Sequence, residues 1–512
     1  MRGDNARSAA LLSDLAATRP DDTELGRKAL AEALNAGQVP LALKLARSLP
    51  PEKLTSEARL LLAGDEIRRR RPDRAYPWLR VKGDTGDLTF IEPLINAWMA
   101  AERGQADIAL GTIDAIPTNS LLGPLKAEER AFILLKFRRT AEAEPFARRA
   151  IGAAGGREVR IRLALADAFV AAGDRARAAI MLEGLGADAP IAQQQILAGR
   201  QIGQATDSLP EALGEALTAF AADLVRSQRA AAPIGLVQVA RYVDPQNSST
   251  AMLLALLLQD QGRADEGLAV LRALPRDDAL ASQIRDVQVR VLSDEDRFNE
   301  AYAIAAAAAA APGAGIEDYS RLGSLLQDMK RYPESADAYG RAIALANARN
   351  IKTDMWSLLL LRASALEEIN RWPEARGLLE QALQIAPEQP LILNFLGYGK
   401  LERGEDLDAA EAMIRKASEL APDDASITDS LGWAQYKRGK IADAIATLQT
   451  AAEKDPDQAE IHEHLGDALF SSGRRFEARF AWNAALVTAE DKTAARVKAK
   501  LASGLTPANA AP

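Results

Sequence analysis

The sequence predicts an all-α fold, a linear array of helical hairpins closed by a capping helix, on three observations. Much of the 48% apolar content is Ala and Leu, while aromatics make up 5%, and both residues are strong helix formers. Runs of Val, Ile and Thr that would read as strands are largely missing. Near the C-terminus the chain repeats itself without gaps. Leu431-Gly432-Trp433, Gly439, Ala444, Leu448 and Ala451 recur as Leu465-Gly466-Asp467, Gly473, Ala478, Trp482 and Ala485.

Each part of the repeat has a physical reason. Apolar and small residues recur at helical spacing in two short segments, so each segment presents one face to the other. Gly432 and Ala444 let the two helices of a hairpin approach closely. Gly439 supplies the left-handed residue of the turn between them. Pro456 ends the second helix, because it cannot continue the hydrogen-bond ladder.

The same register runs backward through Gly397-Tyr398, Ala363, Leu322-Gly323, Phe298 and Leu254-Ala255. About thirteen complete units fit the chain. Residues 214–489 read as the regular array, and residues 22–190 as degenerate hairpins that keep the turns but lose many large residues. Between them, 191–213 breaks the period with the run IAQQQ and Asp207-Ser208-Leu209-Pro210, which predicts an extra helix or a hinge. Residues 490–502 predict a polar capping helix, as repeat arrays need for solubility, and 503–512 a disordered tail. At the start, Gly3-Asp4 falls on a turn position and Ser8, Leu12, Leu15 and Pro20 on second-helix positions, so 1–21 reads as half a repeat. That half repeat predicts a missing upstream part, which could have carried a signal peptide or lipid anchor.

Several function classes are disfavoured. The net charge is −8, and the one compact basic cluster, Arg68–Arg71, reads as a solvated face rather than a phosphate-binding patch. Without cysteine there is no disulfide, thiolate metal site or cysteine nucleophile. The apolar run Met252–Leu258 is too short to cross a bilayer. His462 and His464 stand about 200° apart on a helix, so they do not share a metal, and each reads as a surface or groove residue. Neither a phosphate loop nor a nucleophile elbow appears, and Gly152–Gly156 reads as a linker. No cofactor and no enzymatic activity are expected.

The spacing of these hairpins resembles the tetratricopeptide repeat (TPR), whose period is 34 residues. The resemblance implies a right-handed superhelical solenoid in which the first helix of each unit lines a groove that binds proteins. Carried onto this chain, the groove positions are Asn394, Tyr398 and Glu402, then Asp429, Trp433, Tyr436 and Lys437, then Glu463, Asp467 and Phe470. Aromatics beside polar groups make a peptide-binding surface; the alternative is that Trp433 and Phe470 only fill the wall between adjacent helices. The acidic positions Asp429, Glu463 and Asp467 exclude the carboxylate clamp by which some TPR proteins hold chaperone C-termini, and favour a basic or neutral segment or a folded partner. The succession N-x-L-G-Y, D-S-L-G-W and E-H-L-G-D over residues 390–490 resembles Gram-negative TPR lipoproteins that serve as adaptors of a carboxyl-terminal processing protease. That resemblance implies a periplasmic or outer-membrane-associated adaptor, if an upstream signal was removed. The alternative is a cytoplasmic scaffold or an assembly factor.

Overall fold

The computed structural model describes residues 5–19, 21–81, 86–185, 189–227, 232–351 and 355–511. Among the described residues there are 29 α-helices, short 3-10 turns and no strand, as the sequence predicts. Consecutive helices pack in pairs along the chain, among them Glu92–Glu102 with Ala106–Asp114 and Ala459–Ser471 with Arg475–Thr488. Gly3, Asp4 and Pro20, on which the half-repeat reading rests in part, lie outside the described residues. No described helix is long and apolar enough to cross a membrane.

The hairpin turns form as the glycine spacing implies. Gly439 takes φ +76°, and the N–H groups of Gly439 and Lys440 return to the carbonyls of Tyr436 and Gln435 at 2.8 and 2.9 Å. Those bonds satisfy carbonyls that the helix end would leave unpaired. The close approach of paired helices is equally specific. A Cβ on Gly466 would lie 2.3 Å from the Trp482 ring, so the indole fills the space that a side chain would take.

The chain divides into two compact units, Met1–Glu317 and Asp318–Pro512. This boundary does not fall in 191–213, and contacts inside the first unit explain why. The Asp167 carboxylate, 2% exposed, accepts the backbone N–H groups of Ile202, Gln204 and Ala205 at 2.7, 2.7 and 3.1 Å. Glu102 accepts from the Leu209 N–H at 2.8 Å, and Lys136 donates to the Asp207 carbonyl at 2.7 Å. The segment does supply an extra helix, Pro190–Leu197, but its backbone is bonded to the hairpins before it and is not a hinge.

Within the first unit the chain also folds back on itself. Helix Leu209–Ser227 packs on Glu92–Glu102 and Ser56–Arg68, and helix Ile234–Val243 packs on Ser56–Arg68 and Thr23–Asn35. Tyr242 donates its hydroxyl to Asp65 at 2.7 Å. A Cβ on Gly64 would lie 2.5 Å from Val243. The early first helices are therefore covered on two sides. Every residue of Ser56–Arg68 from Ala58 to Asp65 is buried, which erases the one-sided pattern expected of a surface helix. Arg68–Arg71 is largely exposed but tethered: Arg68 lies 4.4 Å over the Tyr242 ring, Arg69 pairs with Asp65 and Arg71 with Glu66.

In the second unit each hairpin packs on the next, from Met355–Glu367 with Trp372–Ile385 through Ala459–Ser471 with Arg475–Thr488. Helix Asp491–Ser503 closes the row, but it is not polar all round. Val497 and Lys500 are fully buried on its inner face. Residues 503–511, expected to be disordered, have definite contacts instead. Asn509 and Ala511 are buried, and the Ala511 N–H donates to Asp467 at 3.0 Å.

Candidate functional site

The first helices of the last three hairpins, Pro390–Glu402, Ala425–Lys437 and Ala459–Ser471, carry all ten residues predicted to line the groove. Helical spacing places Asn394, Tyr398 and Glu402 on one face, and the later helices repeat the arrangement. The structure divides the ten into an accessible set and a set committed to internal contacts.

The accessible set lies toward the start of this row. Asn394, Tyr398 and Glu402 are half-buried and Lys437 is exposed. Tyr398 and Glu402 join Ser364, Glu367, Glu368, Phe395 and Arg403 around a concavity of about 510 Å³. The Asn394 Oδ1 and Trp433 Nε1 atoms are out of solvent and without a hydrogen-bond partner. Leaving such atoms unpaired costs about 1–3 kcal/mol each. Burial, and then the Glu402 and Asp429 carboxylates, push the Tyr398 phenol well up, so it stays a neutral donor. Glu402 sits 3.8 Å from Lys437, and Arg403 pairs with Glu367 at 2.6 Å.

The committed set lies toward the cap. Trp433 is 1% exposed and stacks with both Tyr436 and His464, at centroid distances of 4.7 and 4.1 Å. The wall-filling alternative therefore describes its ring, while its N–H stays unpaired. Tyr436 reaches Ser471 through its hydroxyl at 2.9 Å. Phe470 is half-buried against Trp482. Asp429 holds His464 Nδ1 at 2.9 Å. His464 is thus a buried residue of the stack and not a surface histidine.

The acidic character expected of the last repeat is cancelled from within. Glu463 and Asp467, 1% and 0% exposed, both accept from Lys500 Nζ at 2.7 Å. Arg496 adds a bond to Glu463 at 2.7 Å, and Trp482 Nε1 one to Asp467 at 2.9 Å. Burial pushes the Glu463 carboxyl up, but Arg496 and Lys500 outweigh it and hold it below its usual range. The sequence carried a signal for this pairing. Arg496 and Lys500 share one helix face at i, i+4, and so do Glu463 and Asp467.

The His464 environment sets up a titration. Burial pulls the imidazole down, but the Asp429 carboxylate outweighs it, with Asp467 and Glu463 adding, so the net shift is upward. A raised value stabilises the fold fully below the unfolded histidine value, and the contribution is lost as pH rises through the folded value. The chain has two histidines, so proton NMR resolves them readily. One imidazole signal is expected to titrate above the ordinary value of 6.5, and Asp429→Asn is expected to bring it down. The absence of any signal titrating above that value contradicts the pairing.

Two stretches of the chain match known repeat families. A family model described as tetratricopeptide repeat matches residues 320–390, and one described as TPR repeat matches residues 432–473. No curated protein matches the chain. Among solved structures, a thermophilic TPR protein of Thermus thermophilus is 22% identical with a TM-score of 0.32, over 37% of this chain and 100% of its own. Cut9–Hcn1 of the APC/C is 14% identical with a TM-score of 0.41, over 98% of this chain and 99% of its own. Yeast Tom70 is 13% identical with a TM-score of 0.38, over 81% and 95%. With its all-helical hairpins and these matched stretches, the chain carries tetratricopeptide repeats at residues 320–390 and 432–473.

Proposed function

We propose that the chain is a protein-interaction scaffold whose second unit seats an extended segment of a partner along helices Met355–Glu367, Pro390–Glu402 and Ala425–Lys437. One observation carries this reading. Tyr398 and Glu402 line an open concavity on one helix face. Tyr398 supplies rigid contact area to a bound segment at low entropy cost. Glu367 is paired with Arg403 and Glu402 lies near Lys437, so Glu368 leaves the concavity mildly acidic and a basic or neutral segment is the better fit.

The test is a peptide library probed with the full chain. Tyr398→Ala is expected to weaken the peptides selected by the wild type about ten- to thirtyfold. Phe476→Ala, at an exposed ring outside this row, is expected to leave them unchanged. Equal effects from both variants, or no selection at all, sink the reading.

The finer role rests on the resemblance of residues 390–490 to the protease adaptors. In that role the scaffold delivers substrates to a carboxyl-terminal processing protease in the periplasm, and no chemistry of its own is needed. The alternative is a cytoplasmic scaffold or assembly factor. Affinity capture with the intact chain, compared with Tyr398→Ala, separates them. Tyr398-dependent recovery of such a protease or its substrates supports the adaptor role, and recovery of cytoplasmic complexes alone overturns it.

A further inference from the structure

The tail Gly504–Ala511 is uncharged and carries three alanines, Ala508, Ala510 and Ala511, yet it is held by the candidate site itself. Helix Asp491–Ser503 ends at Gly504, whose φ of +81° turns the chain back. A Cβ there would lie 2.9 Å from Phe470. Leu505 then packs against the cluster that contains Leu465 and Trp482. A turn follows, in which Asn509 accepts the Thr506 N–H at 2.7 Å and donates to the Gly504 carbonyl at 2.9 Å. The turn delivers Ala511 to the apolar cluster of Leu431, Trp433 and Ala434, against which Tyr398 and Tyr436 also pack. There Ala511 is 4% exposed, and its N–H donates to Asp467 Oδ2 at 3.0 Å.

The contacts of Ala511 are those a bound peptide makes. The Ala511 methyl joins an apolar cluster that includes Trp433, and its backbone N–H is fixed by a buried carboxylate. A residue larger than alanine overfills such a site. A charged side chain there faces a costly burial. We infer that the tail is an occupant in cis of a peptide-binding site formed by Tyr398, Trp433, Tyr436 and Asp467. The ligand in trans is then an extended, uncharged peptide that places a small residue, alanine foremost, in the Ala511 position. The tail competes with that ligand at the high effective concentration of a short tether, on the order of millimolar. This inference rests on the reading of the second unit as a peptide groove, and adds to it the ligand class and the self-occlusion.

The probe is a fluorescein-labelled peptide of residues 504–511, blocked at both ends, followed by fluorescence polarisation. It is expected to bind a chain ending at Gly504 about tenfold or more tighter than the full chain. N-methylation at the Ala511 position of the probe, which removes the donor to Asp467, is expected to abolish that binding. Full-length Ala511→Asp places a second carboxylate beside Asp467, expels the tail without shortening the chain, and is expected to bind the probe like the shortened chain. If the shortened chain fails to fold, this variant decides. Equal binding to the full chain and to Ala511→Asp, or no binding to either, overturns the self-occlusion. The groove reading fails separately. Library peptides that bind the full chain through Tyr398 while the tail probe binds neither form leave the groove standing and remove the tail from it.

Discussion

Lys500→Met is expected to destabilise the C-terminal end of the second unit by about 3–5 kcal/mol, the cost of breaking a buried ion pair from one side. Lys500 is fully buried, with its ammonium 2.7 Å from both Glu463 and Asp467. Methionine keeps much of the volume and removes the charge. Glu463 retains Arg496. Asp467 retains the neutral donors of Trp482 and Ala511, which do not balance a carboxylate out of water. Because each repeat packs mainly on its neighbours, the loss is expected to show as earlier melting of the last hairpins and the cap. Urea unfolding followed by tryptophan fluorescence measures it, since Trp433 and Trp482 report on this end. Adding Asp467→Asn to Lys500→Met is expected to recover part of the loss, because the neutral amide costs less to bury. A shift smaller than about 0.5 kcal/mol for the single variant, the scale of an ordinary surface substitution, means the pair is not the anchor described here.

Arg157→Met is expected to cost about as much in the first unit, again roughly 3–5 kcal/mol. Its guanidinium lies 2.7 Å from Glu215 and 3.1 Å from Glu128, both of which are 2% exposed. Asn247 adds a bond to Glu215 at 2.8 Å. Neighbouring Glu129 bonds to the Trp98 N–H at 2.6 Å, and burial, then Glu128, push its carboxyl well above the usual range. Without Arg157, the carboxyl groups of Glu128, Glu129 and Glu215 share this interior with Arg160 as the remaining guanidinium near Glu215. The bond from Arg157 to Glu215 also holds helix Leu209–Ser227 to the earlier hairpins, so its loss is expected to release that helix. Limited proteolysis is expected to cut around residues 198–208 in the variant and not in the wild type, together with a lower Tm. Unchanged proteolysis and Tm contradict the clamp.

What could be read from the sequence follows from which surfaces repeat. Gly432 and Gly466, Ala444 and Ala478, and the turn glycines Gly439 and Gly473 are required by local packing inside one hairpin, so the period exposes them directly. Contacts between distant parts of the chain leave no such trace. Gly64 is small because Val243 lies against it, and Leu60–Leu62 are apolar on every side because the chain returns to cover them. Both features read as degeneracy when only a hairpin pattern is sought. The groove positions on three successive helices follow from helical spacing, yet spacing does not tell which of them the protein already uses. The answer depended on Lys500 and Arg496 for Glu463 and Asp467, and on a tail whose composition reads as disorder. That tail is ordered by the surface it meets rather than by any propensity of its own.

The returning helices of the first unit carry a consequence for how the chain acquires its structure. A repeat row with neighbour contacts alone can nucleate anywhere and zip outward, because its contacts are local in sequence. In the first unit, Tyr242 bonds to a residue 177 positions earlier, and Arg263 donates to the Asn35 carbonyl 228 positions earlier. Closing spans of that length costs chain entropy before any contact repays it. During synthesis the early hairpins emerge with a face still bare, and they wait for residues 209–263 before it is covered.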